Sequence, residues 1–362
     1  MIKKKLGNFV KIRTGKLDAN ASSLDGKYPF FTCSKEPLKI SSYSYDCKCV
    51  LVAGNGDLNV KFYEGKFDAY QRTYIIESKN ESILDIRYLY WFLLKYLEKL
   101  RDLSIGGVIK YIKLNNLTDP IIPLPSLEEQ KRIVKILDKA DALRQKRKQA
   151  IGLLDDYLKS VFLEMFGDPV KNPKSWNKLS LKNVVDIQSG QANPKVEPYA
   201  SMIHIGGADI ESGTGKVINK ITARDARQIS GKYLFDENHL LYSKIRPYLN
   251  KVSLPTFGGI CSADIYPIKP RKTLSKYFLA FILKSDGFLE YAKKNSGRAN
   301  IPKINRLDLL KYEIIVPVLD LQNIFEKVWK KTELLKQKML SQSEEMERQF
   351  QALMQKAFKG EL

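Results

Sequence analysis

Two short segments of this chain combine glycine, cationic and hydrogen-bonding side chains in the pattern a nucleic-acid contact needs. One is Ser104-Ile105-Gly106-Gly107-Val108-Ile109-Lys110-Tyr111-Ile112, with Lys113 just beyond it. The other is Ser243-Lys244-Ile245-Arg246-Pro247-Tyr248, continuing to Asn250 and Lys251. Glycine lets a backbone approach a ligand closely. Arginine and asparagine can read base edges with two hydrogen bonds, whereas lysine mostly meets phosphate. Each segment has a counterpart in the other half of the chain. Ser296-Gly297-Arg298-Ala299-Asn300-Ile301-Pro302-Lys303-Ile304 answers the first, and Asn55-Gly56-Asp57-Leu58-Asn59, followed by Lys61, answers the second. The candidate contact residues are therefore Asn55, Asn59, Lys61, Arg72, Gly107, Lys110, Tyr111 and Lys113 in the first half. In the second they are Ser243, Lys244, Arg246, Tyr248, Lys251, Arg298, Asn300 and Lys303. The competing reading is that glycine loops are turns and surface lysines are merely solvated.

Other chemistry finds little support. The two histidines, His204 and His239, both lie in the second half with no match in the first. No glycine-lysine-serine/threonine phosphate loop occurs, nor a glycine-rich cofactor loop after a strand. Asp57 with Glu64-Gly65-Lys66 formally fits an acid followed by acid-x-lysine, a pattern that could hold Mg²⁺ and activate water. The corresponding stretch, residues 248–258, carries no carboxylate, so the bland reading is a solvated hairpin. Cys47-x-Cys49 lacks a second pair at zinc-finger spacing and has no histidine nearby. Cys33, Cys47, Cys49 and Cys261 read as reduced, half-buried thiols, and no metal site is expected.

The net charge is 61 − 40 = +21. A field of that sign favours a polyanion, with strong salt dependence. The basic residues are spread along the whole chain, which favours nucleic acid over a membrane surface. No apolar run approaches the roughly 18 residues needed to span a bilayer, and Met1-Ile2-Lys3-Lys4-Lys5 is not followed by the apolar stretch of a signal peptide. A cytoplasmic protein is the expectation.

The chain that must position these segments is written twice. The serine–glycine segment returns at a shift of 296 − 104 = 192 residues, and Pro125, Leu127, Gln130 and Phe166 meet Pro317, Leu319, Gln322 and Phe358 at the same shift. Leu6 to Gly15 echoes Leu181 to Gly190 at 175, so the second half carries extra loop residues between shared anchors. Residues 1–125 read as a mixed α/β domain, with strands at Lys48-Cys49-Val50-Leu51-Val52 and Thr73-Tyr74-Ile75-Ile76 and a helix from Asp85 to Arg101. The proline strap Pro120-Ile121-Ile122-Pro123-Leu124-Pro125 closes it. Ser126-Leu127-Glu128-Glu129 reads as a capping box opening a long helix over 126–167. Its apolar seam is expected at Ile133, Ile136, Ala140, Leu143, Leu154, Leu158 and Val161, with Arg147 interrupting. Some 40 residues give a rod of about 60 Å. A second domain over 168–318 and a second long helix over 319–362 follow, the latter with its seam at Leu321, Phe325, Val328, Leu335, Met339, Met346 and Leu353. The fold class is α+β: two similar mixed α/β domains separated by two long helices paired as an antiparallel coiled coil.

Specific motifs then carry a family resemblance. Pro123-Leu124-Pro125-Ser126-Leu127-Glu128-Glu129-Gln130-Lys131-Arg132-Ile133 opens the first long helix. Phe166-Gly167-Asp168-Pro169 with Asn172-Pro173-Lys174-Ser175-Trp176 opens the second domain, and Leu353-Met354-Gln355-Lys356-Ala357-Phe358-Lys359-Gly360-Glu361-Leu362 ends the chain. Over essentially its whole length the sequence resembles the specificity subunit of type I restriction–modification systems. The second strap departs from the pattern, since Leu319-Asp320-Leu321-Gln322-Asn323 lacks the double glutamate and the lysine–arginine step. The resemblance implies two target recognition domains, each reading one part of a bipartite site in double-stranded DNA. It implies that the helices set the spacing and dock two modification (methyltransferase) subunits, with restriction (ATP-dependent translocase and nuclease) subunits as further partners. It implies no cofactor in this chain, with S-adenosylmethionine, ATP and Mg on the partner subunits, and no membrane partner. The alternatives are a stand-alone divergent nuclease built on Asp57 and a coiled-coil interaction protein whose charge is incidental.

Overall fold

The structure, a computed structural model, describes residues 2–297 and 301–362. The two long helices, Leu127–Phe166 and Leu319–Lys359, are each continuous. The chain divides into two compact units whose boundaries fall inside these helices: Met1–Ala150 with Met339–Leu362, and Ile151–Lys338. Each unit therefore holds one domain, the start of the helix that follows it and the end of the other helix. This division crosses the sequence-based boundaries at 125/126 and 318/319, because each half of a helix buries its apolar face within a different unit.

In the first unit a six-stranded sheet runs in the order Val10–Thr14, Thr73–Ser78, Tyr45–Ala53, Val60–Ala69, Tyr28–Phe31, Leu38–Ile40. All neighbours are antiparallel except Tyr28–Phe31 and Val60–Ala69, which are parallel. The strap strand Ile121–Leu124 pairs with the N-terminal strand Ile2–Lys5. The helix Ile86–Leu103 starts where Asp85 accepts from the N–H groups of Arg87 and Tyr88, a side-chain cap that satisfies orphan donors. Its Leu89, Trp91 and Phe92 share one core with Val50, Val52 and Ile76 of the sheet and with Ile133, Leu137, Phe350 and Met354 of the long helices.

The second unit repeats the plan with a broken sheet. One four-stranded sheet runs Val185–Ile187, Ile265–Pro270, Leu240–Ser243, Val252–Ser253, and another runs Ile221–Thr222, Ile203–Ile205, Gly259–Cys261, Tyr233–Phe235. A parallel pair recurs, Ile203–Ile205 with Gly259–Cys261. The strap strand Glu313–Ile315 pairs with Lys178–Ser180. The extra residues lie between Gly190 and Ile245, where the shift between the halves grows from 175 to 190. Phe162, Phe166, Phe278 and Phe325 form the heart of this core.

One polar device is built twice. Gln130 is fully buried. Its carbonyl accepts from Asp85 N–H at 2.9 Å, and its amide donates to Ile83 and Pro125 carbonyls at 2.8 and 3.1 Å. Gln322, also fully buried, accepts from Ser275 N–H at 2.8 Å and donates to Thr273 and Pro317 carbonyls at 3.1 and 2.7 Å. Each glutamine ties the cap of its domain helix to the strap and the long helix.

Within each unit the paired helix segments run antiparallel. In the first, Arg132 donates to the Leu362 carbonyl at 2.5 Å, while Arg144 pairs with Glu347 at 2.5 Å. In the second, Lys336 pairs with Asp155 at 2.6 Å and Phe162 meets Phe325 with ring centroids 5.3 Å apart. Ile133, Phe325 and Met339 are buried, and Ile136, Ala140, Leu154, Leu158, Val161, Leu321, Val328, Met346 and Leu353 are half-buried. Two expected seam leucines are not: Leu143 and Leu335 are exposed. Cations take the adjacent inward positions. Arg144 stacks over Phe350 at 4.0 Å besides bonding Glu347, and Lys336 bonds Asp155. At about 100° per residue, an inward side chain turns its neighbour outward.

The helix ends explain two of the motifs. Ser126 caps through Oγ, accepting from Glu129 N–H at 3.3 Å. Glu129 does not close the expected box; its carboxylate accepts from Arg132 at 2.7 and 2.8 Å, which holds it below the usual carboxylate range. At the far end Gly167 takes φ +77°, Trp176 donates to the Phe166 carbonyl at 2.9 Å, and Lys174 donates to the Glu164 and Met165 carbonyls. The Phe-Gly-Asp-Pro…Trp motif is thus a C-terminal cap. Among the described residues, no helix is long and apolar enough to cross a membrane.

Candidate nucleic-acid interface

The segments singled out by composition meet in space, and they do so in the same way in both units. In the first, the strand Tyr45–Ala53 runs out into Gly54-Asn55-Gly56, and the serine–glycine segment returns alongside. The Gly54 carbonyl accepts from Ile112 N–H and the Lys110 carbonyl accepts from Gly56 N–H, each at 2.9 Å. Asn55 and Tyr111 form a β-bridge between those bonds. Ile105 and Tyr111 exchange both backbone bonds, at 3.0 and 2.8 Å, and so close residues 106–110 into a tip. Gly106 sits at φ +117°, where a Cβ would lie 2.5 Å from the Ile109 carbonyl oxygen; glycine is what lets this turn close. Arg72 joins the corner because its carbonyl accepts from Gly54 N–H at 2.8 Å.

In the second unit the strand Leu240–Ser243 runs out into Lys244-Ile245-Arg246. The Lys244 carbonyl accepts from Ile304 N–H at 3.1 Å, the Pro302 carbonyl accepts from Arg246 N–H at 2.8 Å, and Ile245 bridges Lys303. Residue for residue, Lys244, Ile245 and Arg246 stand where Gly54, Asn55 and Gly56 stand. Arg246 even keeps the left-handed backbone of Gly56, φ +46° against +69°. A side chain held in that region costs energy and is a mark of functional loops. The exposed Tyr248 follows in the short turn Pro247–Leu249.

Asn55, Arg72, Gly107, Lys110 and Tyr111 therefore gather at one corner of the first unit, with Lys113 one residue past Ile112. Lys244, Arg246, Tyr248 and Lys303 gather at the matching corner of the second. Arg72, Lys110, Lys113, Arg246 and Lys303 are exposed, and none of them forms an ion pair among the described residues. Cations presented in this way can neutralise phosphate.

Several other candidates make hydrogen bonds within their own unit. The Asn59 amide donates to the Cys33 and Asp57 carbonyls at 2.8 and 2.9 Å, and its oxygen accepts from Lys61. Burial pushes the pKa of the Lys61 ammonium down. Ser243 is buried, with its hydroxyl directed at the Ile245 carbonyl at 3.4 Å. Lys251 donates to the Gly207 carbonyl at 2.6 Å. The Lys244 backbone is at the corner, but its ammonium donates to the Ala263 carbonyl at 2.8 Å and faces Asp264. Arg298 and Asn300 lie outside the described residues.

The nuclease-like pattern is dispersed into other contacts. Asp57 pairs with Lys35 at 3.4 Å and Arg101 at 3.8 Å. Glu64 lies across from Lys48 in the sheet, and Lys66 sits over the Tyr43 ring at 4.8 Å. Among the described residues no three His, Cys, Asp or Glu side chains stand together as a metal site would require. His239 bonds Asp236 at 2.7 Å, and burial depresses the pKa of His204. The four cysteines are free thiols.

Comparison with known proteins adds the following. The type I restriction modification DNA specificity domain matches residues 1–153 and 173–340. The type I restriction enzyme EcoDI specificity subunit of Escherichia coli is 32 % identical over 395 aligned residues, spanning 99 % of this chain and 87 % of that protein. The MjaVIII specificity subunit of Methanocaldococcus jannaschii is 25 % identical over 99 % of this chain and 92 % of its own. Among solved structures, the S subunit of a type I restriction-modification system from M. genitalium shares the fold with a TM-score of 0.65 at 14 % identity, covering 99 % of this chain and 96 % of that one. A chain solved in work on complex assembly and conformational transition of the type I R-M system gives 0.55 at 18 % identity, covering 100 % and 98 %.

Proposed function

We infer the function from one premise: the chain belongs to the family of type I restriction–modification DNA specificity proteins. It is a DNA-recognition subunit of such a system and not itself the catalyst. We propose that each half reads one part of a bipartite site in double-stranded DNA, residues 1–125 forming one recognition domain and 168–318 the other. The helices over 126–167 and 319–362 act as spacers that fix the distance between the half-sites and dock two modification subunits, with restriction subunits as further partners. S-adenosylmethionine, ATP and Mg would be bound by those partners. The protein would work in the cytoplasm.

The observation that carries this reading is the corner built twice. The same backbone register brings a strand-end loop and a glycine segment together in both units, while the exposed side chains differ. A shared frame with different displayed residues is what two readers of different sequences require. The test is a map of adenine methylation in the host genome by single-molecule sequencing, with and without the gene. One bipartite methylated motif should vanish. A methylome that does not change would remove the reading.

A further inference from the structure

The two corners share a feature that their cations do not explain. Ile109 is 63 % exposed and Ile301 is 53 % exposed. They occupy the same position of the repeat, 301 − 109 = 192 residues apart. A single exposed hydrophobic residue is ordinary. The same β-branched hydrocarbon standing in solvent at the same place in both copies is different, because the residues around it have diverged. Val108 stands fully exposed beside Ile109 in the first copy.

The tip that carries Ile109 is held in place. Its base is closed by the paired Ile105–Tyr111 bonds, and its Lys110 carbonyl is anchored by Gly56 N–H. The side chain is therefore presented at low conformational cost. Lys110 follows Ile109 in the chain and Arg72 and Lys113 belong to the same corner, while Arg246 N–H bonds the carbonyl of Pro302, next to Ile301, and Lys303 lies two residues on; all five cations are exposed. A hydrocarbon at a corner that also presents cations with no ion pair among the described residues suits a polyanion with an apolar group set between its phosphates. The major groove of duplex DNA offers that group as the 5-methyl of thymine.

We propose that Ile109 and Ile301 each make an apolar contact with the 5-methyl group of a thymine in the half-site read by their own unit, Val108 widening that contact in the first. This rests on the reading of each unit as a DNA-reading domain. It adds a recognition element that the polar candidates do not supply.

The test uses the complex of this chain with its modification subunits and duplexes carrying its bipartite site. Thymine is replaced by uracil one position at a time, which removes only the methyl group. Binding is measured by fluorescence anisotropy at one fixed salt concentration. For the natural chain, one uracil in each half-site should weaken binding about fourfold, the cost of one lost methyl contact. Ile109→Ala should abolish that uracil penalty in one half-site and keep it in the other, and Ile301→Ala should do the reverse. Ile109→Val, which retains the branch, should keep the preference for thymine. Both alanine changes are at exposed positions and leave the cores untouched. Uracil tolerated at every position while sequence preference persists overturns the inference alone, as does a penalty of equal size with and without Ile109. A complex with no sequence preference at all overturns the reading of the units as DNA readers, and the inference with it.

Discussion

Gln130 and Gln322 show how single residues fix the frame on which the corners are displayed. Each side chain is fully buried and uses its carbonyl and its amide on three backbone groups. Replacing either with alanine strands the amide at the start of a domain helix and two carbonyls. A buried polar group left unpaired costs about 1–3 kcal/mol. Gln130→Ala should therefore destabilise the first unit by about 3 kcal/mol or more, and Gln322→Ala the second. Hydrogen exchange followed by mass spectrometry separates the two. Gln130→Ala should speed exchange in Ile86–Leu103 and leave Lys276–Lys284 protected, and Gln322→Ala should do the opposite. Equal loosening of both helices would contradict a clamp local to each unit. The two glutamines were visible as matched positions of the repeat. Their role was not, because two of the three groups each one bonds lie 45 to 49 residues upstream and only the folded chain brings them near.

At the scale of elements, the long helices were legible and the phase of their seam was only partly so. A serine cap, a three- and four-residue apolar rhythm and a left-handed glycine at the far end mark a helix locally. Which residues face the partner is decided by the partner. Arg144 takes an inward place because Glu347 and Phe350 receive it, and Lys336 does so because Asp155 does. Leu143, next to Arg144, is consequently 51 % exposed, whereas Leu137 is fully buried. Leu137→Ala should then cost about 2–5 kcal/mol in chemical denaturation of the full chain. Leu143→Ala should stay within about 0.5 kcal/mol of the natural protein. Comparable losses at both positions would restore Leu143 to the seam. The corner loops follow the same rule. Their composition was readable, but the joining of Gly54-Asn55-Gly56 to Lys110-Tyr111-Ile112 is a long-range pairing that no local pattern specifies. Asn59, Lys61, Ser243 and Lys251, which hydrogen-bond within their own unit, look in sequence just like the exposed candidates.

At the scale of the whole chain, the division into units changes how a recognition domain can be exchanged. The first unit consists of Met1–Ala150 together with Met339–Leu362. Phe350, Met354 and Phe358, from the end of the chain, share a core with Tyr88, Trp91 and Phe92 of the first domain. The rings of Trp91 and Phe350 lie 5.6 Å apart, and those of Tyr88 and Phe358 5.1 Å. Replacing residues 1–120 by the same region of another family member should change one half-site of the methylated motif and leave the other as it was, because the bonds that form the second corner join residues 244–246 to 302–304. That exchange also sets a foreign face against Phe350, Met354 and Phe358. Mismatched core packing typically costs about 1–3 kcal/mol, so the simple chimaera should unfold at lower denaturant than its parent. A second chimaera that also takes residues 339–362 from the donor should recover the stability while reading the same motif. Motif mapping and denaturation together therefore separate recognition from packing. A change in both half-sites would contradict independent reading, and a stable simple chimaera would mean that the end of the last helix adapts to any first domain it meets.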